Sequence, residues 1–404
     1  MAKEKKEYTF QDLNKEMRQH SEYGETIDKS DISTIDHYID SGNYHLNACL
    51  SGSLFGGYPN NRSVALAGPS GVGKTYLLLN ALKRAQDMGY YVIFYDSENA
   101  VDRDLVIKFG LDPSKFRYEP CTTVQQFRSN ITSLTDVLIE NKKKGFEIPK
   151  IIISLDSAGM LATQKEIDDA KSGSEKADMT RPKILKSTFR IIMSKLAICK
   201  IPFIFTNHTY QTMDLFSQTV AGGGTGPEYA ASIILFLTKA KLKEGTEQTG
   251  IIITAKPNKN RFVKPTAVKF HLSFSKGMNR FVGLEEYINW DTCGIGRGKA
   301  LTQKEYEKLS SDEKKDCRYH SWVEEDNEKS FWFKPSATSR KLVVAHLNDS
   351  VDIAQLFTST VITKEVLDKL EPIVANKFRY ESDGGDDSIV ELINDIVEDD
   401  NQED

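Results

Sequence analysis

One eight-residue stretch constrains this chain more than any other: Gly68, Pro69, Ser70, Gly71, Val72, Gly73, Lys74 and Thr75 read G-x-x-x-x-G-K-[ST]. Glycines at those places let backbone N–H groups turn inward around a polyphosphate. Lys74 brings a point charge to the outer phosphates, and the Thr75 hydroxyl is placed to ligate Mg2+. The flanks agree. SVALA (63–67) is a short apolar run suited to a buried strand, and YLLLNALKRAQDM (76–88) spaces its apolar residues helically, so the loop joins a strand to a helix N-terminus.

Beyond the loop the same alternation continues. Apolar runs at 91–95 (YVIFY), 151–155 (IIISL) and 203–206 (FIFT) read as strands, with helices at 124–140 and 182–196 between them and further strands at 232–237, 250–255 and 268–274. The pattern predicts an α/β core: a phosphate-loop ATPase built on a mainly parallel sheet with both faces covered. Ligands in such sheets gather at the carboxyl ends of the strands.

Three further segments frame this core. Residues 1–43 are polar, with weak helical spacing at 10–17, and form an N-terminal extension that is either solvated or an arm onto a neighbouring subunit. The core is then 44–283. Residues 284–383 interleave lysines and acids around a short helix at 302–309, a hairpin at 320–335 carrying Trp322, Phe331 and Trp332, and helix-like stretches at 342–347 and 362–374, which together make a small α+β domain. Nine acids and no base fall in 384–404, so the other 383 residues carry a net +4 against −5 for the whole chain. A mildly acidic pI therefore leaves room for a polyanionic partner.

Other classes are disfavoured. Five scattered cysteines without a C-x-x-C pair argue against a disulfide framework or a zinc site. No run approaches the roughly 18 apolar residues of a membrane span and no apolar segment follows the N-terminal lysines, so a cytoplasmic, membrane-free protein is expected.

Candidate chemistry sits just past the strands. Glu98 follows YVIFY by three residues, where a carboxylate can take a proton from a water aimed at the γ-phosphate, though a lone Glu there also reads as a solvated loop acid. Asp156 closes IIISL and can hold Mg2+, or can simply start a turn with the serine after it. Asn207 and His208 close the fourth strand and could report on the γ-phosphate, or be bland polar residues. Two long stretches follow on the nucleotide side. Residues 164–181 contain four bases and five acids, and 209–226 contains Tyr210, Phe216 and the Gly222-Gly223-Gly224 run. Lastly, KPNKNRFVKPTAVK (256–269) holds five bases and no acid, which suits either a solvated face or a contact reaching a neighbour's nucleotide.

Taken together these residues resemble the RecA-type recombinases, most of all the phage UvsX branch. The resemblance runs from about residue 44 to 274 through LAGPSGVGKT (66–75), FYDSENAVD (94–102), DMTRPKILKSTFRI (178–191) and TNHTYQTMDLFSQTVAGGGTGPEYAAS (206–232). It implies Glu98 as the water-activating carboxylate, Asp156 as the Walker B acid, and His208 as the residue coupling the γ-phosphate to the second DNA loop. Met179 and Arg181 would belong to the first DNA loop, Phe216, Gly222 and Gly223 to the second. Lys259 and Arg261 would reach a neighbour's ATP, completing the active site only in a filament. Where the family stacks an aromatic ring on adenine, this chain has Leu105.

The implied activity is DNA-dependent ATP hydrolysis with Mg2+, driving a helical filament on single-stranded DNA that pairs with a homologous duplex and exchanges strands in recombination, repair and replication. Single-strand-binding and mediator proteins would be partners, and the acidic tail either competes with DNA or only solubilises. A ring helicase on the same core and an ATP-switched mediator without exchange activity are the competing expectations; an intact Lys74 and Glu98 weigh against the mediator.

Overall fold

The computed structural model describes residues 8–173, 178–211, 219–221 and 230–380. In chain order its main elements are α1 (Phe10–Met17), β1 (Tyr38–Ile39), α2 (Tyr44–Ser51), β2 (Tyr58–Pro59), β3 (Ser63–Gly68), α3 (Lys74–Asp87), β4 (Tyr91–Asp96), α4 (Arg103–Lys108), β5 (Phe116–Pro120), α5 (Val124–Lys143), β6 (Ile151–Asp156), α6 (Gln164–Lys171), α7 (Arg181–Ile198), β7 (Phe203–Gln211), β8 (Thr219–Ala221), β9 (Ile233–Glu244), β10 (Glu247–Asn260), β11 (Val268–Ser273) and β12 (Gly277–Met278). The C-terminal part adds α8 (Trp290–Cys293), β13 (Ile295–Leu301), α9 (Gln303–Glu307), α10 (Ser311–Lys315), β14 (Arg318–Glu324), β15 (Asn327–Pro335), β16 (Lys341–Val344), β17 (Asp349–Asp352) and α11 (Lys364–Phe378).

The large sheet runs β12-β11-β10-β9-β3-β7-β6-β4-β5, with β8 paired to the outer end of β7. From β9 to β5 the pairings are parallel, and β9 to β12 form an antiparallel flank. Central strands are buried on both faces, which is why they read as unbroken apolar runs. Alternate residues serve different cores. Ala65, Ile153, Phe203 and Phe205 pack under α5 and α7, while Val64, Leu66, Ile152 and Ile204 pack under α2 and α3. A Phe205→Ala change would open the first of these at a cost of about 3–5 kcal/mol.

The C-terminal strands form one antiparallel sheet in the order β14-β15-β13-β16-β17. β13 pairs with β16 through Ile295–Arg297 and with β15 through Gly298–Leu301. Gly296 lies flat under Phe333, whose ring would stand 2.3 Å from any Cβ added there. α11 returns to the main body, and its Val366, Leu370, Val374 and Phe378 share the core of α2 and α3.

One expectation from periodicity is corrected and two elements go beyond it. Residues 342–347 are strand β16 followed by a 3-10 turn (Ala345–Leu347), because β13 and β17 pair with the run; a short apolar stretch does not separate strand from helix by pattern alone. The stretch 164–181 contains α6, started by a capping box in which Thr163 and Glu166 bond reciprocally. β7 continues past Thr206 to Gln211, and its last three residues pair with β8, so the second long stretch begins as a ribbon.

Candidate active site

The phosphate loop is a cradle for an anion by its own geometry. Gly71 and Gly73 have φ of +67° and +93°, the left-handed region that turns successive N–H groups inward. Side chains of Asn43, Asp102, Thr123 and Thr163 cap α2, α4, α5 and α6, whereas α3 begins at Gly73 with no side-chain cap. Its first-turn donors are left for a ligand, and the helix dipole favours a negative one. Lys74, buried at 8% exposure, donates from Nζ to the carbonyls of Gly68 (2.9 Å) and Pro69 (3.0 Å). Burial lowers its pKa, Asp156 and Glu98 pull it back, and Lys239 depresses it further.

Strand ends then bring the acids in. Asp96 and Asp156 close neighbouring parallel strands in register, and the chain past β4 carries Glu98 to the same rim. The Thr75 hydroxyl donates to Asp156 Oδ2 (2.6 Å) and Thr206 donates to Oδ1, so both oxygens of a carboxylate at 1% exposure are oriented. Burial lifts the Asp156 carboxyl above its ordinary range, with the charges of Glu98 and Asp96 adding to the rise. A cation beside Thr75 would relieve that cost. Among the described residues no three His, Cys, Asp or Glu side chains form a metal cluster. A hydroxyl and a carboxylate side by side are donors that would suit Mg2+, which keeps waters and phosphate oxygens as its other ligands.

Among the described residues Glu98 is held through one oxygen only. Ser157 Oγ and His208 Nε2 (2.9 Å) both donate to Oε1, and among the described residues Oε2 accepts no bond. Burial pushes the carboxyl up, but the Ser157 and His208 contacts and the charge of Lys74 outweigh it and hold Glu98 below its ordinary range. Among the described residues its second oxygen is left open to a water. Asn207, buried, accepts from the His208 amide and would stand 2.9 Å from a Cβ added at Gly159 in the turn after β6. Ser157 and Thr206 join this cluster with no motif to mark them: both are buried polar residues, Ser157 just past β6 and Thr206 within β7.

The remaining candidates lie elsewhere. Met179 is 86% exposed. Arg181 turns back into the protein, donating to the carbonyls of Leu161 (3.0 Å) and Gly159. Asp178 pins the base of this stretch by accepting from Thr163 Oγ1 and Thr180 Oγ1, both at 2.6 Å. Phe216, Gly222 and Gly223 lie outside the described residues. Leu105 sits in α4, partly buried against the core. Lys259 and Arg261 lie at the other end of the sheet: Lys259 pairs with Ile234 and Asn260 with Ile233, beside the start of β3. Six residues of β3, roughly 20 Å, separate them from Gly68. Arg261 there lines a cleft of about 690 Å3 with Arg62, Met193 and Phe203. Neither reaches this chain's own phosphate loop.

Comparison with known sequences finds relatives across the same region. A profile of the RecA N-terminal domain matches residues 9–279. The recombination and repair protein of Enterobacteria phage T4 is 33% identical over 242 residues, 59% of this chain and 60% of that protein. Protein RecA of Paenarthrobacter aurescens (strain TC1) is 27% identical over 250 residues, covering 61% and 68%. A mitochondrial DNA repair protein of Arabidopsis thaliana, recA homolog 3, is 26% identical over 245 residues, covering 59% and 54%. The chain thus spans three fifths of the phage relative's length. Among the described residues no helix is long and apolar enough to cross a membrane.

Proposed function

The chain belongs to the RecA N-terminal domain family, and from that membership and the geometry of the site we propose that it is a DNA-dependent ATPase acting as a homologous recombinase. It would assemble with ATP and Mg2+ into a helical filament on single-stranded DNA, pair that strand with a homologous duplex and exchange strands, in the cytoplasm of a bacterial host. Single-strand-binding and mediator proteins would load it. The observation that carries the reading is the His208–Glu98 bond, because His208 belongs to the strand that runs on into the second long loop.

In this reading Lys74 and the amides of 71–75 hold the phosphates, while Thr75 and Asp156 hold the cation. Mg2+ supplies charge neutralisation on the phosphate oxygens. Glu98 takes a proton from the attacking water through its available oxygen. His208 exchanges Glu98 for the outer phosphate and so passes the nucleotide state along β7. Lys259 and Arg261 come from the adjacent protomer, since a head-to-tail assembly puts the far rim of one copy on the phosphate rim of the next. Met179, Phe216, Gly222 and Gly223 meet DNA, joined by Arg181 once it leaves its carbonyl partners.

The test is ATP hydrolysis with and without single-stranded DNA, beside strand exchange between circular single-stranded and linear duplex DNA. Hydrolysis should rise with DNA, and Glu98→Gln should lower it about 10^2–10^4-fold while nucleotide and DNA binding persist. Hydrolysis indifferent to DNA would point instead to an ATP-switched mediator, and unwinding of a forked duplex to a ring helicase.

A further inference from the structure

Lys239 contacts the phosphate loop from a part of the chain that no motif marks. β9 pairs with β3 only as far as Ala67–Phe236, then continues past the loop as an antiparallel ribbon with β10. Its backbone is so close that the Leu237 carbonyl would stand 2.7 Å from a Cβ added at Gly68. Two residues on, Lys239 donates from Nζ to the carbonyls of Gly71 (2.9 Å) and Ser70 (3.2 Å). With Lys74 bonded to Gly68 and Pro69, two ammonium groups hold four successive carbonyls of the loop.

We propose that Lys239 is a second phosphate-loop lysine, a positioning residue that keeps the tip of the loop set for a nucleotide's phosphates. In a loop that wraps an anion, N–H groups point inward and carbonyls outward. A cation on the outward carbonyls reinforces that orientation and adds positive potential behind the cradle. Two ammonium groups on one small loop repel each other, as the effect of Lys239 on Lys74 shows. A polyanion bound in the cradle relieves that repulsion. β9 follows the second long stretch in the chain, so Lys239 also links that part of the chain to the nucleotide, in cis, independently of His208.

The inference rests on the nucleotide reading of this site, and the experiment separates the two. Affinity for ATPγS with Mg2+, and for inorganic tripolyphosphate, is measured by calorimetry near 0.15 M salt on full-length wild type, Lys239→Ala, Lys239→Arg and Lys241→Ala. Lys241 lies on the same face of β9, farther from the loop, and controls for bulk charge. Lys239→Ala should weaken both ligands about five-fold, close to 1 kcal/mol, Lys239→Arg should recover most of the loss, and Lys241→Ala should match wild type. Unfolding temperatures without ligand should coincide, and only the ligand-induced rise should shrink in Lys239→Ala. Equal affinities of Lys239→Ala and wild type overturn the role of Lys239, as does an equal loss in Lys241→Ala or a failure of arginine to rescue. Wild type binding neither ligand overturns the nucleotide reading and this inference with it.

Discussion

His208 Nε2 lies 2.9 Å from Glu98 Oε1, which ties the last residue of the central ladder to the carboxylate proposed to activate water. In the proposed mechanism one hydrogen bond therefore joins the residue that senses the nucleotide to the residue that activates water. Replacing His208 by Ala should leave ATP affinity within about two-fold and reduce DNA stimulation of hydrolysis about ten-fold or more. His208→Gln keeps a donor and should retain part of the stimulation. Steady-state rates across a DNA titration read both; unchanged stimulation in His208→Ala would remove the imidazole from the coupling.

The opposite placement of Gly68 and Arg261 gives a mixing test. Lys74→Ala and Arg261→Ala should each be inactive alone in ATP hydrolysis. Mixed at equal concentration on single-stranded DNA, roughly a quarter of head-to-tail interfaces would combine an intact phosphate loop with an intact arginine. Activity should reappear to that extent. A mixture as inactive as its components would place Arg261 outside the hydrolytic site.

Asp156 carries a carboxyl raised by burial, so the native state holds its proton to higher pH than the unfolded chain. Stability from this group therefore falls as pH rises through the interval above the unfolded value, near 3.9. At neutral pH Asp156→Asn should raise the unfolding temperature of the nucleotide-free protein and abolish the Mg2+-dependent part of nucleotide binding. Thermal melts with and without Mg-ATPγS show both; a lower unfolding temperature for the variant would mean that the Thr75 and Thr206 bonds outweigh the cost of the buried charge.

Asp178 behaves in the opposite sense. Hydroxyl donors from Thr163 and Thr180 hold its carboxyl down at about 2. Its stabilisation is complete above the unfolded range near pH 4 and fades as pH falls through about 2. Asp178→Asn should loosen the stretch between Thr163 and Thr180, giving about five- to ten-fold faster proteolytic cleavage within 164–177 at neutral pH. The gap from wild type should narrow in acid, as followed with a protease active at low pH. Equal cleavage at neutral pH would show that α6 is held by other contacts.

The phosphate loop was legible because all of its chemistry is local, and Glu98, Asp156 and His208 because each follows a strand that an apolar run announces. Ser157, Thr206 and Lys239 were not. Thr206 meets Asp156 across 50 residues and Lys239 meets Gly71 across 168, and a hydroxyl or a lysine carries no mark of its distant partner. β5 (FRYEP) escaped notice because it is an edge strand, half exposed, with no apolar run. The outer half of β9 reads as polar for a similar reason: beyond Leu237 most of its residues face solvent.

β7 has no joint in it. Every residue from Phe203 to Gln211 has a ladder partner on at least one side, β3 as far as His208 and β8 from Thr209 onward. Strands held this way do not creep by fractions of a residue, because a slip by one position would turn every side chain to the wrong face. A pull on the outer ribbon, or a push at the imidazole, is then either resisted entirely or answered by the whole rod tilting at once. The coupling between the nucleotide end and the loop end should have two settings, with no gradation between them.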